Sequence, residues 1–466
     1  MKFKKLLTLL LTAVLGVALG ACSNDAVNLG ELVVWVGTES AAFYQTALDT
    51  YVENYNASHE EAFPGTIAVY GVDTGSSADN YLVDTTKGGD LFICAHDNLG
   101  KLLEGSGTIE KVNSKDLINQ ITANSPEDFL NVCYLAAGDG SNAAFYGVPI
   151  ISQSLVLYYD KALFEGKEDK LASWEGIAEV ASAEGKNATA YLGSDGYNYS
   201  HWLLAQPESD DAIAAFKEKG TLQVYGAGLA QNCYAWGDDQ VAIAKYAQRF
   251  TSTYMANKVV SDDGWEKDLG AVPSKIATVI GGAWSLARII NYLGEDGYGV
   301  TVLPTFTLTD ADAYGTAKAG MVFRSGSFFD AKVMCKKKGS AFADYLDDIL
   351  LYLSSNEIQQ QSYIQCANLP ASKNIDLGSN ELANAQHRQA ELASIPQPFG
   401  YGTSYNGAYY SKGAPDIYVA ISQGMEGYTT DEGIVKGLQT MSYIWAKNKK
   451  PSGDEKLAEW VASTNK

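Results

Sequence analysis

The sequence predicts an α/β fold built as two lobes. A strand–loop–helix unit recurs along the chain, and no internal repeat, low-complexity tract or second membrane-length segment interrupts it. Length points the same way. Removing residues 1–21 of the 466 leaves 445, too many for one core and enough for two lobes of about 200 residues each.

The first element is an address. Lys2, Lys4 and Lys5 precede an apolar run over residues 6–21 that ends in Leu19-Gly20-Ala21-Cys22. A charged start, a short apolar stretch and small residues before the cut describe a signal peptide, too short for a comfortable membrane span. A cysteine at the cleavage point resembles the lipobox of bacterial lipoproteins, where it is acylated and becomes residue one. Cys22 is therefore the expected lipidation site, residues 22–30 a short tether, and the outer face of a membrane the expected location.

The next elements carry the architecture. Leu32-Val33-Val34-Trp35-Val36 is a continuous apolar run closed by Gly37, as a buried parallel strand should be. Thr38, Glu39 and Ser40 supply cap chemistry for a helix whose apolar face reads Phe43, Ala47, Tyr51, Val52 and Tyr55. The unit recurs at Asp90-Leu91-Phe92-Ile93-Cys94, followed by a loop Ala95-His96-Asp97-Asn98 and a helix from Leu99. It recurs again at Ile276-Ala277-Thr278-Val279-Ile280, then Gly281-Gly282 and a helix from about Trp284. Over residues 341–353, Phe342, Tyr345, Leu346, Ile349, Leu350 and Leu353 form one stripe, predicting a helix that covers a lobe. Such alternation implies mostly parallel sheets.

Ligands of open α/β sheets bind beyond the carboxyl ends of the strands. Here those ends carry Thr38 and Glu39; His96, Asp97 and Asn98; and Gly281, Gly282 and Trp284. Carboxylates and amides clamp vicinal hydroxyls and flat rings stack on pyranose faces, so the set suits a sugar. The plainer alternatives are that Asp97 and Ser40 cap helices and that Trp284 is core.

Composition removes other classes. With 34 basic and 55 acidic residues the net charge is −21, and losing the three leader lysines makes it −24, which repels nucleic acid and anionic lipid. Tyrosine outnumbers phenylalanine, 29 to 15, which suits half-wet, sugar-binding faces. Beyond Cys22, Cys94, Cys133, Cys233, Cys335 and Cys366 are odd in number and lack close spacing, so buried free thiols are expected, with one or two disulfides left open. His59, His96, His201 and His387 have no metal-ligand spacing. A calcium-loop-like start at Asp310 puts Lys318 ninth and Met321 twelfth, where an acid is required. No nucleophile elbow, phosphate loop or zincin motif is present, and no pair of carboxylates stands out as a glycosidase dyad. No cofactor, no metal and no catalysis are expected.

In order along residues 30–440, several segments together look like one family. These are Leu32-Val33-Val34-Trp35-Val36, Gly89-Asp90-Leu91-Phe92 with Ala95-His96-Asp97, and Tyr146-Gly147-Val148-Pro149. They continue with Gly281-Gly282-Ala283-Trp284, then Tyr298-Gly299-Val300-Thr301-Val302-Leu303-Pro304-Thr305, then Leu369-Pro370-Ala371. The chain resembles the maltose/maltodextrin-binding branch of the extracellular solute-binding proteins of ABC importers. The resemblance implies a two-lobed periplasmic-binding-protein-like fold with a hinge and an interlobe ligand cleft. It places the crossings near 151–153, 304–305 and 354–356. The N-terminal lobe would be 31–151 plus 306–354, and the C-terminal lobe 152–305 plus 355–466.

By the same resemblance Glu39, Ser40 and Asp97 fall at sugar-contacting positions, Trp284 at a stacking tryptophan, and Tyr197 or Tyr199 in a segment supplying a second ring. The chain departs where Asn98 replaces an arginine, Cys94 a common tryptophan, and Gln153 a glutamate. The family's C-terminal aromatic pair aligns with Ala414 and Pro415, so Tyr409 and Tyr410 are the expected substitutes. Trp202, Trp236 and Trp265 are further rings that could face either sugar or core. The implied function is a monomeric, lipid-anchored receptor that delivers maltooligosaccharides to an ABC permease at the membrane of a single-membrane bacterium. The alternatives are a surface glycan-capture protein without transport and a surface glycoside hydrolase.

Overall fold

The computed structural model describes residues 28–104, 107–135, 143–190, 196–208, 238–254, 268–271, 274–396, 410–411, 414–415, 417–447 and 450–464. The address segment with Cys22 lies outside them, as do Cys233, Trp236, Trp265 and Tyr409.

In chain order, the strands that position the site are β1 (Gly30–Gly37), β2 (Gly65–Val72), β3 (Leu91–Ala95), β4 (Val148–Ser154), β5 (Val156–Asp160), β6 (Asn187–Ala190), β7 (Ile276–Gly281), β8 (Tyr298–Thr301), β9 (Thr305–Thr307), β10 (Val322–Arg324), β11 (Ser327–Lys337) and β12 (Ser394–Pro396). The helices are α1 (Ala41–Ser58), α2 (Trp174–Ala183), α3 (Asp238–Tyr254), α4 (Leu286–Leu293), α5 (Ala343–Leu353), α6 (Asn356–Cys366), α7 (Glu381–Ala393) and α8 (Asp431–Lys447).

The first lobe is a sheet in the order β12-β11-β3-β1-β2, with β4 also paired to β11. Strand β3 shows the two-residue period at work. Leu91 and Ile93 join the core under α1 and α5, while Phe92 and Cys94 join the core on the opposite face. Burial on both faces is what the unbroken apolar run announces. Helix α5 buries Leu346, Ile349, Leu350 and Leu353, the expected stripe, beginning at residue 343. Cys94, Cys133 and Cys335 are buried free thiols of the second core, and Cys366 is a half-buried one.

The second lobe is a sheet in the order β8-β5-β7-β6. Its larger core gathers Trp174, Trp202, Tyr246, Phe250 and Phe306, with α2, α3 and α8 around them. Both sheets are mixed rather than mostly parallel. Strand β11 runs antiparallel to β3 and β4, and β5 antiparallel to β7 and β8. Both enter directly from the other lobe, without the helical crossover that usually makes neighbouring strands parallel.

Two lobe boundaries differ from the sequence expectation. The β9–β10 hairpin stays in the second lobe, because Phe306, Leu308 and Phe323 are buried in its core, Phe306 packing edge-on to Trp202 at 5.2 Å. The chain therefore returns to the first lobe at Ser325–Gly326, not at 306. Helix α6 likewise stays with the first lobe, where Ile358 packs beside Leu353.

An earlier crossing is Leu155, between β4 and β5, and the chain crosses again beyond α6, since Leu382 of α7 and Ile434 of α8 pack in second-lobe cores. The Leu155 N–H donates to Ser327 Oγ at 3.1 Å, so the two strand crossings touch. Helix α7 lies over both. Gln386 Nε2 donates to Ser154 O at 2.9 Å, and Ser154 Oγ donates to Gln386 O at 3.0 Å. Gln389 Oε1 accepts from Leu303 N at 2.8 Å, and its Nε2 donates to Ser325 O at 3.3 Å. Among the described residues no helix is long and apolar enough to cross a membrane.

Candidate functional site

A cavity of about 790 Å³ opens where the strand ends of the two lobes meet. The first lobe lines it with Thr38 and Glu39 after β1, residues 72–75 at the end of β2, Gln153 of β4, Lys332 of β11 and residues 366–369 after α6. The second lobe contributes Ala283, Trp284, Leu286 and Ala287 after β7, and α7 adds Leu382.

Trp284 is held out of the core by its local chain. A 3₁₀ turn over Ala283–Ser285 follows Gly282, and a Cβ at Gly282 would lie 2.2 Å from ring atom Cζ3. Only glycine leaves the indole that position. The residue is 41 % exposed, unusual for so large an apolar side chain. The wall opposite is polar. Glu39 is exposed, and Gln153 sits across from Asp330 in the β4–β11 ladder. Ala367, also on the wall, ends α6 in the left-handed region at φ +56°.

Not every expected residue reaches the cavity. Glu39, Gln153 and Trp284 do. Ser40 is 1 % exposed and makes no cap bond; its Oγ accepts from Asn368 Nδ2 at 2.8 Å, so it positions a lining residue from behind. Asn98 is buried, and its Nδ2 donates to Asp97 Oδ1 at 2.9 Å and to Ala95 O at 3.2 Å, orienting the aspartate. Asp97 is half-buried at the end of β3, and burial, then the Asp330 carboxylate, push its pKa up to about 6 against the pull of His96, Lys332 and Lys101.

Tyr199 is the clearest correction to the expectation. It is 1 % exposed, belongs to the second-lobe core, and its phenol oxygen accepts from Gln423 Nε2 at 2.7 Å, so in this conformation it offers no face to a ligand. Trp202 is likewise core. Tyr197 lies on helix Gly196–Leu203 and Tyr410 on strand Tyr410–Ser411, both with side chains outside the described set; Trp265 and Tyr409 are outside it altogether.

Sequence reasoning missed Asp73, Thr74, Asn368 and Lys332. The first two follow β2, a strand interrupted by Gly71 and buried only in part. For Lys332 a signal exists: Asp330 and Lys332 are two charges at period two inside the otherwise apolar run from Phe328 to Cys335. Burial opposes its charge, but Asp330 and Asp97 hold the ammonium's pKa above the ordinary lysine value. The Asp310 turn proves structural: Asp312 accepts from Arg249 at 2.9 and 2.8 Å and from Thr309 N at 2.8 Å. Among the described residues no group of three His, Cys, Asp or Glu side chains is placed to hold a metal.

Comparison with known proteins adds the following. A family model described as bacterial extracellular solute-binding protein matches residues 37–326. The chain is 23 % identical over 425 residues to the maltodextrin-binding protein MdxE of Bacillus subtilis, covering 85 % of this chain and 88 % of that one. It is 23 % identical over 335 residues to a maltooligosaccharide ABC transporter solute-binding lipoprotein of Streptococcus pneumoniae, covering 69 % and 71 %. Among solved structures, a maltodextrin-binding protein from L. casei without ligand superposes with a TM-score of 0.66 at 16 % identity, covering 90 % of this chain and 99 % of that one. An extracellular solute-binding protein from Staphylococcus aureus in complex with maltose gives 0.60 at 19 %, covering 90 % and 97 %.

Proposed function

Because the chain belongs to the bacterial extracellular solute-binding protein family, we propose that it is a lipid-anchored receptor that captures maltooligosaccharides and delivers them to an ABC permease. One observation carries the reading: a single large cavity is lined by both lobes, with an outward-facing tryptophan on one side and a carboxylate and amides on the other. The printed names of the relatives, maltodextrin-binding and maltooligosaccharide-binding, support the ligand class.

The work is binding, not bond chemistry. Sugar hydroxyls engage Glu39, Gln153 and Asn368 while the pyranose face lies on Trp284. A ligand that touches both lobes gains contacts only when they close, so it shifts the hinge equilibrium toward the closed state that a permease reads. Residues 1–21 serve as the signal peptide and Cys22 as the acylated residue, with a tether to residue 30. The mature chain acts as a monomer at the cell surface.

Calorimetric titration with maltose through maltoheptaose, beside unrelated oligosaccharides, tests the ligand class. Affinity near micromolar, about −8 kcal/mol, is expected for α-glucans; silence across the whole panel refutes it. Cys22→Ser should release the protein from membranes into the medium, and retention there would refute the anchor.

A further inference from the structure

Strand β11 carries two charges on a face that is otherwise core. Its side chains alternate, and its pairing with β3 is unbroken from Lys332 to Lys336. Ala331, Val333 and Cys335 pack in one first-lobe core, and Met334 packs in the core on the opposite face. By the same period Asp330 and Lys332 share the face of Met334. Asp330 also stands opposite Gln153 in the antiparallel ladder with β4, which puts those two side chains on one side of the sheet. Gln153 and Lys332 both line the cavity, so this end of the face is floor rather than core.

The pair is nearly out of water, with Lys332 8 % and Asp330 6 % exposed. Lys332 Nζ donates to Asp330 Oδ2, its one hydrogen bond among the described residues. An ammonium has three donors, so Nζ keeps N–H groups for whatever fills the cavity. Lys332 is also the one cation among the described residues that line it, beside the carboxylates of Glu39 and Asp73. Two apolar residues of similar shape would serve the fold as well or better, because a buried ion pair recovers little beyond its desolvation. Placement of the pair answers to the cavity.

We propose that Lys332 touches the ligand and sets its specificity: held by Asp330, its ammonium donates to hydroxyl oxygens of one sugar ring on the first-lobe side of the cleft. This rests on the maltooligosaccharide reading for the identity of the ligand. Carboxylates accept from hydroxyls, whereas an ammonium only donates to them. A sugar hydroxyl suits both kinds of partner. A hydrogen at the same carbon suits neither, and leaves a desolvated ammonium without its acceptor. Lys332 belongs to the first lobe and Trp284 to the second, so a ligand that meets both ties the lobes together.

The experiment uses the shortest maltooligosaccharide that binds, together with its monodeoxy analogues, each lacking one hydroxyl. Calorimetry compares the wild type with the double variant Asp330→Leu/Lys332→Met, and a thermal melt checks that both fold. Removing the two charges together leaves neither one buried alone, so the melting temperature should not fall. Affinity for the parent sugar should fall by about tenfold or more, the scale of a hydrogen bond to a charged group. In the wild type at least one monodeoxy analogue should bind about tenfold more weakly than the parent, and in the double variant that penalty should vanish. A merely structural pair would weaken every sugar alike and leave each penalty in place. Unchanged affinity, or penalties that survive in the variant, overturn the proposal. Should the double variant fail to fold, Lys332→Arg decides. It keeps the charge opposite Asp330 but not the ammonium's geometry, so the penalty at one position should change while the others hold, and an unchanged set ends the proposal. A wild type that binds no maltooligosaccharide refutes the ligand class and this proposal with it, whereas tight binding indifferent to Lys332 refutes the proposal alone.

Discussion

Replacing Trp284 with alanine tests the cleft most directly, because the structure sets the size of the effect. A tryptophan buries up to about 250 Å² when fully covered. With 41 % of the residue exposed in the absence of ligand, about 100 Å² remains for a sugar to cover, worth about 2.5 kcal/mol at about 25 cal/mol per Å². Trp284→Ala should therefore weaken maltotetraose binding by about 70-fold. Because that fraction of the ring is already in water, the folded state should lose much less than a core tryptophan would, where truncation costs about 3–5 kcal/mol. Calorimetry gives the first number and a thermal melt the second. Trp284→Phe keeps a flat ring and should recover most of the affinity. A folded Trp284→Ala protein whose affinity stays within twofold of wild type would refute the stacking geometry, and a collapse of its melting temperature would make Trp284 a core residue.

Other substitutions probe the scaffold. Gly282→Ala puts a Cβ 2.2 Å from the Trp284 ring and should displace it, lowering affinity while the melting temperature moves little; unchanged affinity would show that the ring can settle elsewhere. Gln389→Leu strands the Leu303 N–H and the Ser325 carbonyl in the hinge, and a loss of about 1–3 kcal/mol is expected in chemical denaturation. Ala367→Gly relieves the left-handed backbone at φ +56° and should raise stability by about 1 kcal/mol, which a urea midpoint would detect. Arg249→Met leaves Asp312, 1 % exposed, without its bidentate partner and should cost about 3 kcal/mol, the low end for a broken buried pair because Arg249 is itself about a third exposed. Burial raises the Asp312 pKa, but Arg249 and Thr309 bring it below the ordinary 3.8. Its folded value is thus depressed, so its contribution is present at neutral pH and lost as pH falls through and below about 4. The gap between wild type and Arg249→Met should close there, and a gap that persists unchanged in acid would count against the pairing.

What could be read from the chain follows from the range over which each signal acts. The strand at residues 32–36, the strand at 91–95 and the glycine pair before Trp284 are local: a period or a forbidden Cβ is written in neighbouring residues. Lys332 carries a local signal, a charge inside an apolar run, but its place in a site is not local, because the cavity that it lines is assembled from residues as distant in sequence as Thr38 and Trp284. Distance likewise hides the lobe boundaries, since Phe306 and Phe323 read equally well as strand core in either lobe until Trp202 claims them. Tyr199 misleads for the opposite reason. A tyrosine looks half-wet in sequence, yet here its ring and hydroxyl are both satisfied inside the core.

Strand β11 also bears on the order in which the molecule can assemble. Ten of its eleven residues are buried, and it joins β3 to both β4 and β12 in the first sheet. A chain emerging N-terminus first presents β1, β2 and β3 early, then the greater part of the second lobe, and only afterwards the strand that completes the first. Until about residue 337 is out, the first lobe is a sheet with its middle missing, and pairing over so long a loop is slow. A late keystone of this kind keeps the first lobe from closing until most of the chain is present.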